Sequence, residues 1–175
     1  MKSGTIEGVT LSDVPSTGRS VIVNLMQLYL HDFSEFAVVG TDHGEVSQDG
    51  LFPYRWLDSY WRDEGRFPMT IHADLRLAGF ALINRWSALD RPLDQSVAEF
   101  FILRKYRRLG VGSRAAALIF DRFRGQWEIP VAWYNHPALS FWRTVVRTAA
   151  DGPLREVAGD AERWDGTVLA FTKRP

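Results

Sequence analysis

The chain has 175 residues, 46% of them hydrophobic and 13% aromatic, which is enough for one domain with a buried core. Its 21 Lys and Arg residues balance 21 Asp and Glu residues, so the total charge gives no support to a nucleic-acid or membrane surface. The absence of cysteine excludes disulfides, a thiolate nucleophile and cysteine metal ligands. No apolar run approaches the roughly 18 residues of a membrane span, and no signal-peptide segment is present. We therefore expect a single cytoplasmic domain over residues 1–175.

Hydrophobic periodicity predicts a mixed order of strands and helices. Val21, Leu25 and Phe33 recur at helical spacing, whereas most of the later apolar runs are short and bounded by turn residues. The predicted elements are a strand at 5–11, a helix at 21–36, a loop at 41–52, a short aromatic helix at 53–62, strands at 68–73, 77–84 and 97–103, a helix at 112–123 closed by Gly125, a strand at 128–134, a helix at 137–148, and strands at 154–157 and 167–172. This order predicts an α/β domain.

The most informative segment, residues 97–112, is an apolar run that ends in a basic, glycine-bearing turn and opens a helix. A strand, a Gly-x-Gly turn and a helix N-terminus build an anion site from backbone N–H groups and the helix dipole. Gly110 and Gly112 let the backbone approach a phosphate closely. The cations around this turn are Arg104, Lys105, Arg107, Arg108 and Arg114. The segment therefore indicates a diphosphate-bearing cofactor.

Residues 110–115 also satisfy the Gly-x-Gly-x-x-Ala pattern of a dinucleotide-binding unit. That unit requires an acid at the end of the next strand, about 20 residues further on. Here the next strand-like run ends in Asn135, and its only acid, Glu128, stands at its start. The residues that follow hold no second βαβ half, so this interpretation is the less favoured of the two.

Two ordered motifs resemble those of the GNAT N-acetyltransferases. Residues 107–112, Arg-Arg-Leu-Gly-Val-Gly, match the Arg/Gln-x-x-Gly-x-Gly/Ala signature that holds the pyrophosphate of acetyl-CoA in that superfamily. Residues 135–142 are similar to its later motif, in which an Asn precedes an Ala and an aromatic pair. Residues 25–36, with Tyr60 and Trp61, look like a bacterial subgroup of predicted acetyltransferases. The resemblance covers nearly the whole chain, most sharply from 97 to 142.

The resemblance implies a single-domain α/β GNAT fold, with a mixed, mostly antiparallel sheet of six or seven strands, a splayed central strand pair and flanking helices. It also implies acetyl-CoA as cofactor, because unpaired amides of the splayed strand hold the pantetheine arm and polarise the thioester in this fold. The residues it assigns to the cofactor are Phe101, Ile102, Leu103, Arg107, Arg108, Leu109, Gly110, Val111, Gly112, Ser113, Arg114, Asn135 and Trp142. The structural alternative is a central strand followed by a solvated basic turn.

Two residues are candidates for proton transfer. Glu99 lies in the apolar strand that leads to the glycine turn, and partial burial would raise its pKa toward that of a general base. Glu99 could instead have a structural role, as an acid that faces the cleft wall or pairs with a nearby arginine. Many GNAT enzymes protonate the leaving thiolate with a tyrosine at the position that Trp142 holds here, so Tyr134 is the substitute. Tyr134 could instead be a core residue, and a CoA thiolate could leave without an acid.

The acceptor pocket is expected in the first two helices and the loop between them. Carboxylates with aromatic faces suit a cationic amine, through charge pairing and cation-π contact. The candidates are Asp32, Glu35, Tyr54 and Trp61, within a group that also holds Asp42, Glu45, Trp56 and Tyr60. For any one of them, helix packing or a solvated acid is the alternative. The four histidines show no ligand spacing, so no metal site is predicted.

The resemblance therefore implies direct transfer of an acetyl group from acetyl-CoA to the amine of a small molecule or peptide. The alternative is a non-catalytic acyl-CoA-binding sensor or partner-binding module of the same fold, which the tryptophan at position 142 favours slightly. The aromatic content of the chain also leaves room for a homodimer.

Overall fold

The computed structural model of the protein describes residues 5–174 and contains one mixed sheet with helices on both faces. The elements are β1 (Val9–Asp13), α1 (Ser20–Phe33), β2 (Phe67–Ala73), β3 (Arg76–Asn84), β4 (Gln95–Ile102), α2 (Val111–Arg122), β5 (Gly125–Ala132), α3 (His136–Ala149), β6 (Arg155–Ala158) and β7 (Gly166–Lys173). Short 3₁₀ turns lie at Ser16–Gly18, Ser34–Phe36, Leu57–Trp61 and Arg104–Tyr106. Within residues 5–174, no helix combines the length and the apolar character needed to cross a membrane.

The seven strands follow the order β1-β2-β3-β4-β5-β7-β6 across the sheet. Every neighbouring pair is antiparallel except β4 and β5, which run parallel. A parallel pair needs a crossover, and α2 supplies it between β4 and β5. The predicted α/β class and the mixed, mostly antiparallel sheet are confirmed.

The strands β4 and β5 stay together over a short stretch and then diverge. Their pairing consists of Gln95 with Trp127 and Ser96 with Glu128. Over the same length, β5 keeps eight pairs with β7 on its other side. The later half of β4 therefore faces an open gap, as the predicted splayed pair requires.

A proline explains where the pairing ends. The Gln126 N–H donates to the Asp94 carboxylate at 2.8 Å, so this edge position of β5 turns toward the chain that enters β4. Backbone N–H groups alternate between the two edges of a strand, and the same edge therefore belongs to Glu128 and Pro130. Because proline has no N–H, Pro130 cannot donate to β4, and the ladder stops just before it.

The two faces of the sheet carry separate cores. On one face, α1 packs through Ile22, Leu25 and Met26 against the middle of the sheet, with the Leu57–Trp61 turn beside it. On the other face, α2 and α3 pack through small and aliphatic residues that let the helices approach closely, namely Val111, Ala115, Ala116, Ile119, Val145 and Val146. The aromatic side chains of Phe120 and Trp127 fill the centre of this second core.

A β-bulge in β4 determines which face of the sheet carries the Glu99 side chain. Val97 lies opposite Ile83 and Glu99 lies opposite Leu82, so Ala98 is an extra residue without an opposite partner. An extra residue shifts the alternation of side chains by one position. Glu99 therefore shares the α1 face with Leu82, whereas Val97 belongs to the α2 and α3 face.

Three predicted boundaries are corrected. The aromatic helix expected at 53–62 is a five-residue 3₁₀ turn, Leu57–Trp61. The strand expected at 5–11 begins at Val9, because the Asp74 carboxylate accepts the N–H groups of Glu7 and Gly8 and turns the chain there. Gly125 does not close α2 but opens β5, where its φ of +117° favours glycine and an added Cβ would lie 2.3 Å from the Asp94 carboxylate.

Gly79 in β3 offers a test of the sheet geometry next to β4. A Cβ at this position would lie 1.9 Å from the carbonyl oxygen of Phe101, so Gly79→Ala must push the two strands apart. We expect a loss of about 3 kcal/mol in the free energy of unfolding, the upper range for overpacking. Urea unfolding followed by circular dichroism measures it.

The matched control is Gly152→Ala, because an added Cβ there meets nothing within 4 Å. This variant should unfold within about 0.5 kcal/mol of the wild type, as ordinary surface substitutions do. Equal stability of the two variants would contradict the close approach of β3 and β4.

Candidate active site

The gap between the diverging strands β4 and β5 holds a cavity of about 250 Å³, which we call the cleft cavity. Its walls include Tyr29 from α1, Glu99 from β4 and Trp142 from α3. Tyr134 and Asn135, which follow β5, complete one side. The cleft cavity therefore gathers residues from four elements around the open edge of β4.

A second cavity, of about 350 Å³, lies beside it, and we call it the aromatic cavity. Its walls include Tyr54, Trp56, Tyr60, Arg66, Asn84, Trp86 and Ser96. Five residues line both cavities, namely Val97, Ala98, Glu99, Pro130 and Trp164. The two cavities therefore meet at a wall whose acidic member is Glu99.

Two tyrosine hydroxyls hold the Glu99 carboxylate. Tyr29 donates to Oε2 at 2.5 Å from the cleft side, and Tyr54 donates to Oε1 at 2.7 Å from the side of the aromatic cavity. Burial raises the pKa of Glu99, and these two hydrogen bonds oppose the rise without cancelling it. A carboxylate with a raised pKa between two cavities is suited to accept a proton from a bound group.

The tyrosines around Glu99 remain protonated. Burial raises the pKa of Tyr29 and Tyr54, and the nearby Glu99 charge raises each of them further. Burial and the Glu99 charge also raise the pKa of Tyr134. The Tyr134 ring packs against Phe36, with the ring centroids 5.3 Å apart, and it lines the cleft cavity. Tyr134 is thus a neutral hydroxyl at the cleft and not part of the buried core.

The glycine turn leads into the N-terminus of α2. Gly110 has a φ of +76° and Arg108 a φ of +61°, so the turn contains two left-handed residues. No side chain among residues 5–174 caps this helix at its N-terminus. The N–H groups of its first turn are therefore available to a ligand. A Cβ on Gly112 would lie 3.3 Å from the Phe141 ring. The turn is therefore an open anion site with close packing beneath it.

Ion pairs engage part of the positive charge near this turn. The Asp32 carboxylate, at the end of α1, binds Arg104 at 2.7 Å and also Arg107. Burial raises the pKa of Asp32, but hydrogen bonds from the two arginines outweigh it and hold the pKa below its ordinary value. Arg114 donates to the carbonyl oxygens of Ile6 and Glu7, whereas Lys105 and Arg108 are exposed. The turn is less positive than the sequence alone suggests.

The comparison with protein families assigns the chain. The sequence model of the acetyltransferase (GNAT) family matches residues 23–145, which include most of α1, the whole of β4, the glycine turn and most of α3. The chain belongs to the acetyltransferase (GNAT) family. No curated protein sequence matches it significantly.

Solved acetyltransferase structures share its fold at low sequence identity. An acetyltransferase from Thermus thermophilus superposes with a TM-score of 0.63 at 15% identity, covering 97% of this chain and 99% of that one. The ribosomal-protein-S18-alanine N-acetyltransferase of Escherichia coli gives 0.59 at 12%, covering 96% of each chain. The spermidine N-acetyltransferase of Vibrio cholerae, in complex with CoA and spermine, gives 0.59 at 13%, covering 94% and 95%.

Outside the β4 segment, the residues predicted to contact the cofactor lie in three places. The turn residues from 107 to 114 lie together at the N-terminus of α2, as expected. Asn135 caps α3, because its Oδ1 accepts the Ala138 N–H at 3.1 Å. Trp142 is buried against Phe100, with the ring centroids 5.0 Å apart, and borders the cleft cavity.

The backbone of β4 corrects part of the GNAT-based prediction. The Leu103 N–H donates to the Ala78 carbonyl at 2.8 Å, so this amide is already engaged by the chain that enters β3. Alternation turns the Phe101 amide toward β3 as well, and it turns the amides of Phe100 and Ile102 toward the open gap. Phe100 therefore replaces Phe101 and Leu103 as a backbone donor to the cleft.

The residues predicted to bind the acceptor lie in different parts of the structure. Tyr54 lies in the aromatic cavity and binds Glu99. Asp32 is paired with the arginines near the turn, and Glu35 is exposed beside them. Trp61 packs in the α1 core and donates its indole N–H to the Val14 carbonyl at 2.8 Å.

Sequence reasoning missed several walls of the two cavities. Tyr29 stands in a helix whose apolar pattern marks it as a packing residue, and Trp86 and Trp164 lie in connections without a motif. The available signal was weak, namely tryptophans next to polar loop residues far apart in the chain. Among residues 5–174, no cluster of three or more His, Cys, Asp or Glu side chains could hold a metal.

The pKa of Glu99 can be measured directly. We expect its carboxyl carbon to titrate above the ordinary glutamate range, and Tyr54→Phe should move the titration higher still, because one hydrogen bond to the ionised form is lost. Carbon-13 NMR of protein labelled at the glutamate carboxyl carbons measures this, and Glu99→Gln identifies the signal.

Tyr60→Phe is the control for this titration, since Tyr60 lines the same cavity but bonds to Asn84. It should leave the Glu99 titration nearly unchanged. If Tyr54→Phe left it unchanged too, the hydrogen bond would not govern the ionisation of Glu99.

Proposed function

We propose that the chain is an N-acetyltransferase that transfers the acetyl group of acetyl-CoA directly to a primary amine. The observation that carries this proposal is the position of Glu99 in the shared wall of the cleft cavity and the aromatic cavity. A base in that position reaches an amine in one cavity while a thioester occupies the other. Membership of the acetyltransferase family and the low-identity structural likeness support the same reaction class.

The glycine turn fits the pyrophosphate of acetyl-CoA. Two left-handed residues and the uncapped first turn of α2 present backbone N–H groups, and the exposed Arg108 and Lys105 add positive charge. Gly112 has no side chain, and a Cβ at this position would crowd the Phe141 ring. We assign the pyrophosphate to residues 107–114 and the pantetheine arm to the cleft, along Phe100, Ile102 and Trp142. The likeness to a CoA-bound spermidine N-acetyltransferase supports this assignment.

Glu99 starts the reaction by removing a proton from the ammonium form of the acceptor, directly or through a water. The neutral nitrogen then forms a bond to the acetyl carbonyl carbon, and the carbon–sulfur bond breaks. The amides of Phe100 and Ile102 that face the gap stabilise the negative charge on the carbonyl oxygen. The proton taken by Glu99 leaves to solvent, and the second proton of the nitrogen, carried by water, replaces the proton that an acid in the cleft gives to the departing thiolate.

Tyr134 is the residue we assign to protonate the thiolate. Its hydroxyl is neutral, because burial and the Glu99 charge raise its pKa, and it lines the cleft opposite β4. The cleft therefore has a proposed acid, Tyr134, although Trp142 stands at the position of the usual GNAT tyrosine. This placement favours an enzyme over the alternative of a non-catalytic acyl-CoA-binding module, and release of CoA in the presence of amines separates the two.

Glu99→Gln tests the role of the base. The wild-type rate should rise with pH as Glu99 loses its proton, with a midpoint above the ordinary glutamate pKa, because the ionised form is the active one. The variant should lose this dependence and fall about 100-fold or more in kcat, while the affinity for CoA stays within about twofold. Steady-state CoA release against pH, with calorimetry of CoA binding, measures both.

Glu156→Gln is the control, because Glu156 pairs with Arg143 at the protein surface. It should keep the wild-type profile. Tyr134→Phe should lower kcat at every pH below the raised tyrosine pKa without altering the pH at which the rate rises. An unchanged rate in Glu99→Gln across the pH range would remove Glu99 from the mechanism.

Gly110→Glu tests the cofactor turn. The added carboxylate would repel the pyrophosphate, so we expect CoA affinity to fall by about 100-fold or more. Gly50→Glu is a matched control, because Gly50 has a φ of +77°, close to the +76° of Gly110, and neither position has a backbone atom within 4 Å of an added Cβ. Calorimetry should show normal CoA binding in Gly50→Glu. Normal binding in Gly110→Glu would show that the turn does not hold the pyrophosphate.

A further inference from the structure

The aromatic cavity has walls that suit a flat, apolar group. Five aromatic side chains line it, from three separate parts of the chain, namely Tyr54, Trp56, Tyr60, Trp86 and Trp164. The rings of Trp86 and Trp164 meet edge to face, with centroids 6.4 Å apart. Aromatic rings prefer such edge-to-face and offset contacts with another ring. The volume of about 350 Å³ lies at the small end of ligand pockets.

The wall that carries Trp86 is held rigidly. The Asn84 side chain accepts the Trp86 N–H at 3.0 Å and donates to the Tyr60 hydroxyl. The fully buried Glu128 carboxylate accepts the Ala88 N–H at 2.8 Å and pairs with Arg91 at 2.7 Å. These contacts fix the segment that follows β3 on both sides of Trp86. The cavity is therefore preformed rather than dependent on a ligand.

The charges of the cavity limit the number of ammonium groups in the acceptor. Among its described lining residues, Glu99 is the acid and Arg66 the base. Glu99 is needed by the amine that reacts. Arg66 pairs with Asp63 at 3.3 Å and lies over the Tyr60 ring at 5.2 Å, where a second ammonium would be repelled. The cavity thus favours a monoamine over a polyamine.

One buried hydroxyl in the cavity lacks a partner. Ser96 is 1% exposed, and its Oγ has no hydrogen-bond partner within residues 5–174. The bulge at Ala98 places Ser96 and Glu99 on the same face of β4, three residues or about 10 Å apart at most. Buried hydroxyls are normally satisfied, and Ser96 lies in the wall of the cavity, so a small shift of its side chain would let the hydroxyl bind a polar group of the ligand.

We propose that the acceptor is an arylalkylamine: a primary amine joined by a short link to one aromatic ring that carries a hydrogen-bonding substituent. This inference rests on the proposed acetyl transfer, since it places the amine at Glu99. The ring packs against the faces that Trp86 and Trp164 turn to the cavity, and its substituent reaches Ser96 Oγ. The reaction forms the N-acetyl arylalkylamine and free CoA.

Steady-state CoA release with four probe amines tests the proposal. Tyramine should have the highest kcat/KM, phenethylamine about tenfold lower, and butylamine and spermidine at least tenfold lower again. Ser96→Ala should bring tyramine down to the level of phenethylamine and leave phenethylamine nearly unchanged. This variant removes an unpaired buried hydroxyl, so it should fold at least as stably as the wild type, which a thermal midpoint checks.

Trp164→Leu and Trp133→Leu form a matched pair of tryptophan variants. Trp164 lies in the wall that the two cavities share, whereas Trp133 lines neither of them and is 63% exposed. Calorimetry of tyramine binding to the CoA-bound protein should show a loss of at least tenfold in Trp164→Leu and wild-type affinity in Trp133→Leu. This readout needs no turnover.

The outcomes separate the two proposals. Faster turnover of spermidine or butylamine than of either aromatic amine would overturn the acceptor class and leave the acetyl transfer standing. CoA release with none of the amines, together with tyramine binding that depends on Trp164, would overturn the transfer and retain the aromatic ligand. Equal tyramine binding in the two tryptophan variants would overturn the assignment of the cavity.

Discussion

The end of hydrogen bonding between β4 and β5 is the constraint on which the site depends. Two residue pairs hold these strands, and Pro130 then removes the next donor from the β5 edge that faces β4. The strands separate from that point, and the gap becomes the cleft cavity. Pro130 itself lines both cavities. A single missing N–H thus gives the central sheet a permanent opening without breaking β5, which remains fully paired with β7 on its other edge.

The helix α1 links the two ends of the site. It supplies Tyr29 to the Glu99 carboxylate, and near its last turn Asp32 binds the two arginines that precede the glycine turn. A rigid helix therefore couples the hydrogen bond to the proposed base with the position of the proposed pyrophosphate loop. The low pKa of Asp32 keeps this link ionised over the physiological range. Asp32, which the sequence suggested for the amine, lies instead beside the proposed pyrophosphate loop.

The sequence predicted well those features that depend on residues close together in the chain. The Gly-x-Gly turn, the apolar strand before it and the helix after it depend on neighbouring residues, and the family assignment followed from them. The bulge at Ala98 could not be predicted, because it arises from the pairing of β3 with β4 rather than from side-chain periodicity. Trp86 and Trp164 were missed for a similar reason, since about 80 residues separate them and only the sheet topology brings them together. The sequence predicted Tyr134 at the end of a strand. Its exposure to the cleft could not be predicted, because it depends on where β5 ends.

The two cavities differ in how they are built. The walls of the cleft cavity come mainly from the strands β4 and β5 and the helices α1 and α3, in which a change of backbone would disturb the sheet or its packing. The aromatic walls come largely from connections, where Trp56, Trp86 and Trp164 lie outside the strands and α-helices. Trp56 and Trp86 line the aromatic cavity and not the cleft cavity, so substitutions there can reshape one cavity while the other keeps its geometry. Under the proposed assignment, the architecture separates the evolution of acceptor choice from that of donor binding, and the same division is open to protein engineering.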